Sequence, residues 1–208
     1  MKLRMPRPEE YEGQIQYSAE AIDERLTELA AEIDRDYPEG VTLLCYLKAA
    51  AILGADLLRK IKVPARIDYL GLGRLQLEEG ETPLLFLRQD ATLDIYDEDV
   101  VLCTDIVRSG FTMHFLLQQL RAREPRSLEI CALLHNPNQQ LLPLPLKYIG
   151  FDTDYDSLCG YGMDYHGMGR QFPDIVRLMP DKEAEEKEHK ELFDFMGNVD
   201  KEKAEEER

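Results

Sequence analysis

The chain has 208 residues, 44% hydrophobic and 32% charged, which is typical of a globular domain and excludes disordered, collagen-like and small disulfide-stapled proteins. Its 25 basic and 41 acidic residues give a formal charge of −16, which argues against nucleic acid as a partner. The sequence has no uncharged apolar run near the ~20 residues that span a bilayer and no apolar signal segment after Met1, so we expect a cytoplasmic protein without membrane contact.

Residues 15–180 are predicted to form the folded domain, between an extension over 1–14 and a tail over 181–208. Ser18 can cap a first helix, whose apolar residues are spaced by three and four: Ile22, Leu26, Leu29 and Ile33. Further helices are predicted over 48–61 and 112–123, and strands over 41–47, 65–72, 83–87, 99–104, 128–134 and 146–151. This alternation predicts an α/β fold with a mainly parallel twisted sheet flanked by helices. Ligands of such sheets bind beyond the carboxyl ends of the strands.

The tail differs from the domain in composition. Residues 181–208 contain 12 acidic and 6 basic side chains. We interpret this segment as a solvated helix or a frayed extension and assign it no chemistry.

Several common site motifs are absent. Residues 152–156 resemble the start of a calcium loop, but Ser157 and Met163 stand where that loop needs Gly and Glu. Gly71 and Gly73 lack the third glycine of a dinucleotide-binding turn. The phosphate-binding G-x-x-x-x-G-K-[ST] loop, the G-x-S-x-G hydrolase motif and histidines at zinc-ligand spacing do not occur.

One segment, residues 100–112, has the pattern of a phosphate site. A buried strand ends in a short polar turn that opens directly into a helix. Gly110 lets the backbone approach a ligand, Ser109 and Thr112 supply hydroxyl groups, and the N–H groups lie at the positive end of the helix dipole. The alternative is an ordinary β–α turn in which Ser109 caps the helix, and these residues alone do not decide between the two.

With its flanking motifs, this loop resembles that of the type I phosphoribosyltransferases, in the hypoxanthine-guanine (6-oxopurine) branch. The family's LKG segment matches Leu47-Lys48-Ala49, and its YVGF strand matches Tyr148-Ile149-Gly150-Phe151. Its VGYGLDY box matches residues 159–165, and a later family arginine matches Arg170. The spacing holds over residues 15–178, which implies the type I phosphoribosyltransferase fold with a small hood region.

The resemblance also implies a reaction and a set of site residues. In this family a purine joins the ribose of phosphoribosyl pyrophosphate, giving a nucleoside monophosphate and pyrophosphate. The ribose and 5′-phosphate are assigned to Asp105, Ser109, Gly110, Phe111 and Thr112. Pyrophosphate is assigned to Lys48, Ala49 and Arg170, the base pocket to Asn136, Ser157 and Leu158, and a magnesium ligand to Asp164. Magnesium and cationic side chains neutralise charge on the leaving pyrophosphate.

The sequence departs from the family where the chemistry is most demanding. Thr104 replaces the first of two adjacent acids, and Arg108 stands at the position of the general base. An arginine cannot accept a proton in a protein. Asn136 aligns with the lysine that donates to the purine 6-oxo group, and Ser157 with the residue that stacks on the base. The lid's Ser-Tyr pair is replaced by Arg74 and Leu75, followed by Glu78, Glu79 and Glu81.

These substitutions predict weak or altered catalysis. Losing a general base lowers a rate by about 10² to 10⁴. The ribose-phosphate loop becomes more positive, which favours anions and weakens magnesium binding. Three hypotheses remain: a purine phosphoribosyltransferase with altered activity, a non-catalytic regulatory protein that binds a nucleotide or phosphate, and an assembly subunit without a ligand. A homodimer or homotetramer is usual for the resembled family.

Overall fold

The structure, a computed structural model, describes residues 15–75, 84–155 and 157–178. The predicted extension over 1–14, the lid acids Glu78, Glu79 and Glu81, and the tail over 181–208 lie outside these residues. Within the described ranges, no helix is both long enough and apolar enough to cross a membrane.

Three helices and nine strands are found in the described residues. The helices are α1 (Ala19–Asp36), α2 (Ala50–Lys60) and α3 (Phe111–Arg121). The strands are β1 (Ile15–Tyr17), β2 (Val41–Tyr46), β3 (Ala65–Leu75), β4 (Leu84–Gln89), β5 (Asp99–Val107), β6 (Ser127–His135), β7 (Leu146–Asp152), β8 (Leu158–Cys159) and β9 (Ile175–Arg177).

The main sheet has six strands in the order β4-β3-β2-β5-β6-β7. All neighbours are parallel except β3 and β4, which pair antiparallel. The predicted mainly parallel sheet is therefore confirmed. Because parallel strands share a direction, the carboxyl ends of β2, β5 and β6 meet at one edge of the sheet.

Helices cover both faces of this sheet, as predicted. Successive strand residues point to opposite faces, so Leu43 packs in the core cluster with α1 and α2, whereas Leu44 packs in the cluster with α3. The Ser18 hydroxyl accepts a hydrogen bond from the Ala21 N–H at 3.2 Å, which caps α1. The predicted apolar stripe of α1 is buried along its length: Ile22, Leu26, Leu29 and Ile33.

A second, three-stranded sheet joins parts of the chain that are distant in sequence. Its order is β1-β9-β8, with antiparallel pairing. The Tyr17 hydroxyl donates to the backbone oxygen of Asp152 at 2.8 Å, which links this sheet to the end of β7. This small sheet is the hood that the family resemblance implies.

Two predicted boundaries at the sheet edge were wrong. Lys48 does not open a helix, because the Leu47 N–H still bonds the Leu70 oxygen at 2.8 Å and α2 begins only at Ala50. Lys48 therefore lies in a turn. Strand β5 runs on to Val107 because its last residues stay paired with β6, so Asp105 lies inside the strand and not after its end.

Candidate active site

A cavity of about 310 Å³ opens at the carboxyl end of β5. The end of β2, the turn after β5 and the first turn of α3 complete its wall. The lining residues are Tyr46, Thr104, Asp105, Ile106, Val107, Arg108, Ser109, Gly110, Thr112 and Met113. The cavity thus brings together five residues predicted from the sequence to act in the site: Asp105, Arg108, Ser109, Gly110 and Thr112.

The turn before α3 depends on Gly110. This residue is the N-cap of α3 with φ 89°, a left-handed conformation that favours glycine. A Cβ here would lie 3.2 Å from Leu144 Cδ1 and 3.5 Å from Leu142 Cβ, so the backbone is closely packed. The first N–H groups of a helix lack partners within it and carry the positive end of its dipole, which suits a phosphate. Phe111 does not line the cavity, and it is 56% exposed.

Asp105 and Arg108 give the cavity its charged groups. Burial raises the pKa of the Asp105 carboxyl, although backbone hydrogen bonds, the Thr104 hydroxyl and the nearby charge of Arg108 partly oppose the shift. The Thr104 hydroxyl donates to Asp105 Oδ1 at 3.2 Å and is itself buried. Asp105 is the one acid among the lining residues, and Arg108 is the one cation. The arrangement suits a ligand that carries both hydroxyl groups and negative charge.

The segments predicted to bind pyrophosphate touch each other. Lys48 is exposed in the turn that follows β2, beside Ala49. Gly162, in the loop that carries Arg170, lies so close to this turn that an added Cβ would be 2.2 Å from the Ala49 oxygen. Arg170 donates from Nη1 to the Gly162 oxygen at 2.6 Å and forms an ion pair with Asp164. Its guanidinium is therefore occupied by its own loop.

Asp164 does not fit a magnesium ligand in this arrangement. One carboxylate oxygen pairs with Arg170, and the other accepts the Gly167 N–H at 2.7 Å. In the described part of the chain, no group of three or more His, Cys, Asp or Glu side chains is placed to hold a metal.

The three residues predicted for the base pocket do not line the cavity. Asn136 is buried just after β6, where its side-chain oxygen accepts the Asn138 N–H at 3.1 Å and shapes the turn. Ser157 is exposed. Leu158 is 6% exposed and belongs to the hydrophobic core cluster on the α1 and α2 side.

Sequence reasoning missed Tyr46, which lines the cavity from the end of β2. The signal was present, since Tyr46 ends a strand that the parallel order places beside β5. The sequence alone does not show that β2 pairs with β5, and it is this pairing that makes their ends neighbours.

Comparison with known proteins identifies the family. The family model of the phosphoribosyl transferase domain matches residues 16–166. The hypoxanthine-guanine phosphoribosyltransferase of Mycobacterium tuberculosis is 32% identical over 170 residues, which cover 78% of this chain and 84% of the relative. The chain belongs to the type I phosphoribosyltransferases, in the hypoxanthine-guanine family.

Solved structures of this phosphoribosyltransferase family share the fold. A hypoxanthine-guanine phosphoribosyltransferase of Bacillus anthracis superposes with a TM-score of 0.73 at 30% identity, covering 80% of this chain and 98% of that one. A hypoxanthine phosphoribosyl transferase of Trypanosoma cruzi, from work on its C-terminal region, oligomeric state and activity, superposes with a TM-score of 0.78 at 28% identity. This match covers 88% of this chain and 99% of that one.

Proposed function

We propose that the protein acts in purine salvage as a phosphoribosyltransferase of weak or altered activity. The observation that carries the proposal is the cavity at the turn before α3, where Asp105, Ser109, Gly110 and Thr112 converge. In the proposed reaction a purine ring nitrogen forms a bond to ribose C1′ while the bond from C1′ to pyrophosphate breaks. A proton must then leave the purine.

The residues of the turn before α3 and of the end of β5 have the chemical groups that a ribose-phosphate site needs. The hydroxyl groups of Ser109 and Thr112 and the N–H groups of the turn hold the 5′-phosphate. Asp105 accepts hydrogen bonds from the ribose hydroxyls. Burial raises the pKa of the Asp105 carboxyl. Hydrogen bonds from the ribose hydroxyls oppose this shift, because they stabilise the ionised form.

The residues expected around the base are the reason why we propose weak activity. Arg108 cannot take the proton from the purine, and the cavity wall offers Asp105 as its only other charged side chain. The loss of that proton acceptor is expected to lower the rate by about 10² to 10⁴. The proposed base-pocket residues Asn136, Ser157 and Leu158 supply no cation and no aromatic ring.

Pyrophosphate is proposed to contact Lys48, the Ala49 backbone and Arg170. Arg170 has to exchange its ion pair with Asp164 for the ligand. Since Asp164 does not fit a magnesium site while that pair is formed, we propose that magnesium enters as an ion held mainly by the substrate's own phosphates. Magnesium commonly binds through few protein carboxylates and several phosphate oxygens.

The alternative is a non-catalytic regulatory protein that binds a nucleotide or phosphate in the same cavity. The cation in the cavity wall favours it, because Arg108 would grip a phosphate where the family places a base. In either case we propose a cytoplasmic homodimer or homotetramer, by analogy with the family.

A thermal-shift panel separates these functions. Ligands that bind the native state raise the melting temperature. For the enzyme, phosphoribosyl pyrophosphate and magnesium together should raise it more than either alone. For the regulatory protein, inosine 5′-monophosphate should raise it equally with and without magnesium. No shift with either ligand would overturn the proposal and favour an assembly subunit.

A further inference from the structure

His135, the last residue of β6, occupies the centre of a side-chain network beside the turn before α3, residues 108–110, which we call the phosphate turn. The residue is 9% exposed. Its Nδ1 lies 2.8 Å from Asp152 Oδ1 on β7, and its Nε2 lies 2.6 Å from Gln140 Oε1. The imidazole thus connects the end of β7 to the segment that follows β6.

The direction of these hydrogen bonds follows from the partners. Gln140 Nε2 donates to the Leu142 oxygen at 2.8 Å, and a carbonyl oxygen can only accept. The Gln140 amide is therefore oriented with Oε1 toward the histidine. Since the Asp152 carboxylate also accepts, the network is complete only when both ring nitrogens of His135 carry a proton.

Among the described residues, the charged group that contacts the His135 ring is Asp152 on β7. The Gln140 amide, on the other side of the ring, is neutral. Asp154, after β7, accepts a hydrogen bond from Asn138 Nδ2 at 2.7 Å and so holds the same segment from outside. The Tyr17 hydroxyl of the hood bonds the backbone oxygen of Asp152, not its carboxylate.

The segment that His135 holds, residues 136–145, supports the phosphate turn. The Asn136 N–H donates to the Val107 oxygen at 2.8 Å, and the Leu141 N–H donates to the Ser109 oxygen at 3.1 Å. Leu142 and Leu144 pack directly against the position of Gly110. The bonds of Gln140 therefore fix the residues that contact the turn.

We propose that His135, which bonds acceptors through both ring nitrogens, is a positioning residue that holds residues 136–145 beneath the phosphate turn. The proposal rests on the proposed function in one respect, that the turn binds a 5′-phosphate. His135 acts through Gln140 and Leu141 and does not touch the ligand.

Two variants test the proposal with one matched control. His135→Leu removes both hydrogen bonds. Gln140→Leu removes the acceptor of the Nε2 bond and the donor to the Leu142 oxygen, so it loosens the segment and adds no charge beside the histidine. Gln118→Leu makes the same substitution on the exposed side of α3 and should behave like the wild type.

The first measurement is amide hydrogen exchange at Leu141, which requires no ligand. In His135→Leu and in Gln140→Leu its protection factor should be about tenfold lower than in the wild type, as the loss of hydrogen bonds of ordinary net strength implies. The same protection factor in wild type and Gln140→Leu would overturn the proposal even if His135→Leu did not fold.

The second measurement is the dissociation constant for inosine 5′-monophosphate, with inosine as the probe that lacks the phosphate. Gln140→Leu and His135→Leu should weaken the binding of the nucleotide about tenfold and leave the binding of inosine unchanged. Equal weakening of both probes would overturn a role directed at the phosphate turn. If the wild type does not bind the nucleotide at all, the proposed function fails, and the exchange data still decide whether His135 positions the segment.

Discussion

Gly162 offers a sharp test of how the two segments proposed to bind pyrophosphate, the turn of Lys48 and Ala49 and the loop of Arg170, fit together. Its φ is 92°, and a Cβ at this position would lie 2.2 Å from the Ala49 oxygen, a backbone atom that cannot move aside alone. Gly167, in the same loop, has φ 83° and nothing within 4 Å of an added Cβ. An alanine would have to adopt a left-handed backbone conformation at either position, but its Cβ would clash only at Gly162.

The magnitudes follow from this difference. Gly167→Ala should lower the free energy of unfolding by about 1–2 kcal/mol, the cost of a left-handed non-glycine residue. Gly162→Ala should lower it by about 1–3 kcal/mol more, the usual cost of overpacking. For a domain of this size each kcal/mol lowers the melting temperature by about 2–4 °C.

Urea denaturation of the two variants measures the stability difference, and isothermal titration measures pyrophosphate binding. The Gly162→Ala clash should push the turn of Lys48 and Ala49 away from the Arg170 loop. Pyrophosphate binding should therefore weaken more in Gly162→Ala than in Gly167→Ala. Equal losses of stability in both variants would refute the close contact and, with it, the proposal that the two segments bind pyrophosphate together.

Three further predictions concern the cavity and the packing of α2. Arg108→Ala should weaken inosine 5′-monophosphate about 10- to 100-fold in a titration, as for a lost charged hydrogen bond, whereas Arg123→Ala, at a surface ion pair with Asp90, should change it little. Burial raises the pKa of Asp105, so the native state favours the neutral carboxyl. The stability that the neutral carboxyl contributes is complete below about pH 3.9 and is lost as the pH rises through the pKa of the native state. Replacing Asp105 with Asn should therefore stabilise the protein at pH 7 but not at pH 3 in urea denaturation, and an equal effect at both would contradict the shift. Gly54→Ala should lower the free energy of unfolding by about 1–3 kcal/mol, because the new Cβ would lie 2.2 Å from Cys45 Sγ, and by less on a Cys45→Ala background.

Local patterns in the sequence predicted most of the fold. The stripe of α1, from Ile22 to Ile33, has a helical spacing that depends on few distant contacts, and the structure buries it. The hood could not be derived in this way, because β1 and β9 are short and pair across nearly the whole domain. For the hood, the family resemblance was needed.

The candidate site was predictable where its residues follow one another in the chain. Asp105, Ser109, Gly110 and Thr112 come from one strand, turn and helix, and they line one cavity. The ion pair of Asp164 with Arg170 depends on how a loop folds back on itself, which composition does not reveal.

The most direct test of the account is the rate of nucleotide formation from hypoxanthine and phosphoribosyl pyrophosphate by the wild type and by Arg108→Asp. The account predicts a wild-type turnover below about 1 s⁻¹. It also predicts an increase of at least about tenfold in the variant, which regains a proton acceptor, together with weaker nucleotide binding. A wild type that turns over faster than this, or a variant that is slower than the wild type, would contradict the claim that a phosphate site was kept while the proton acceptor was lost.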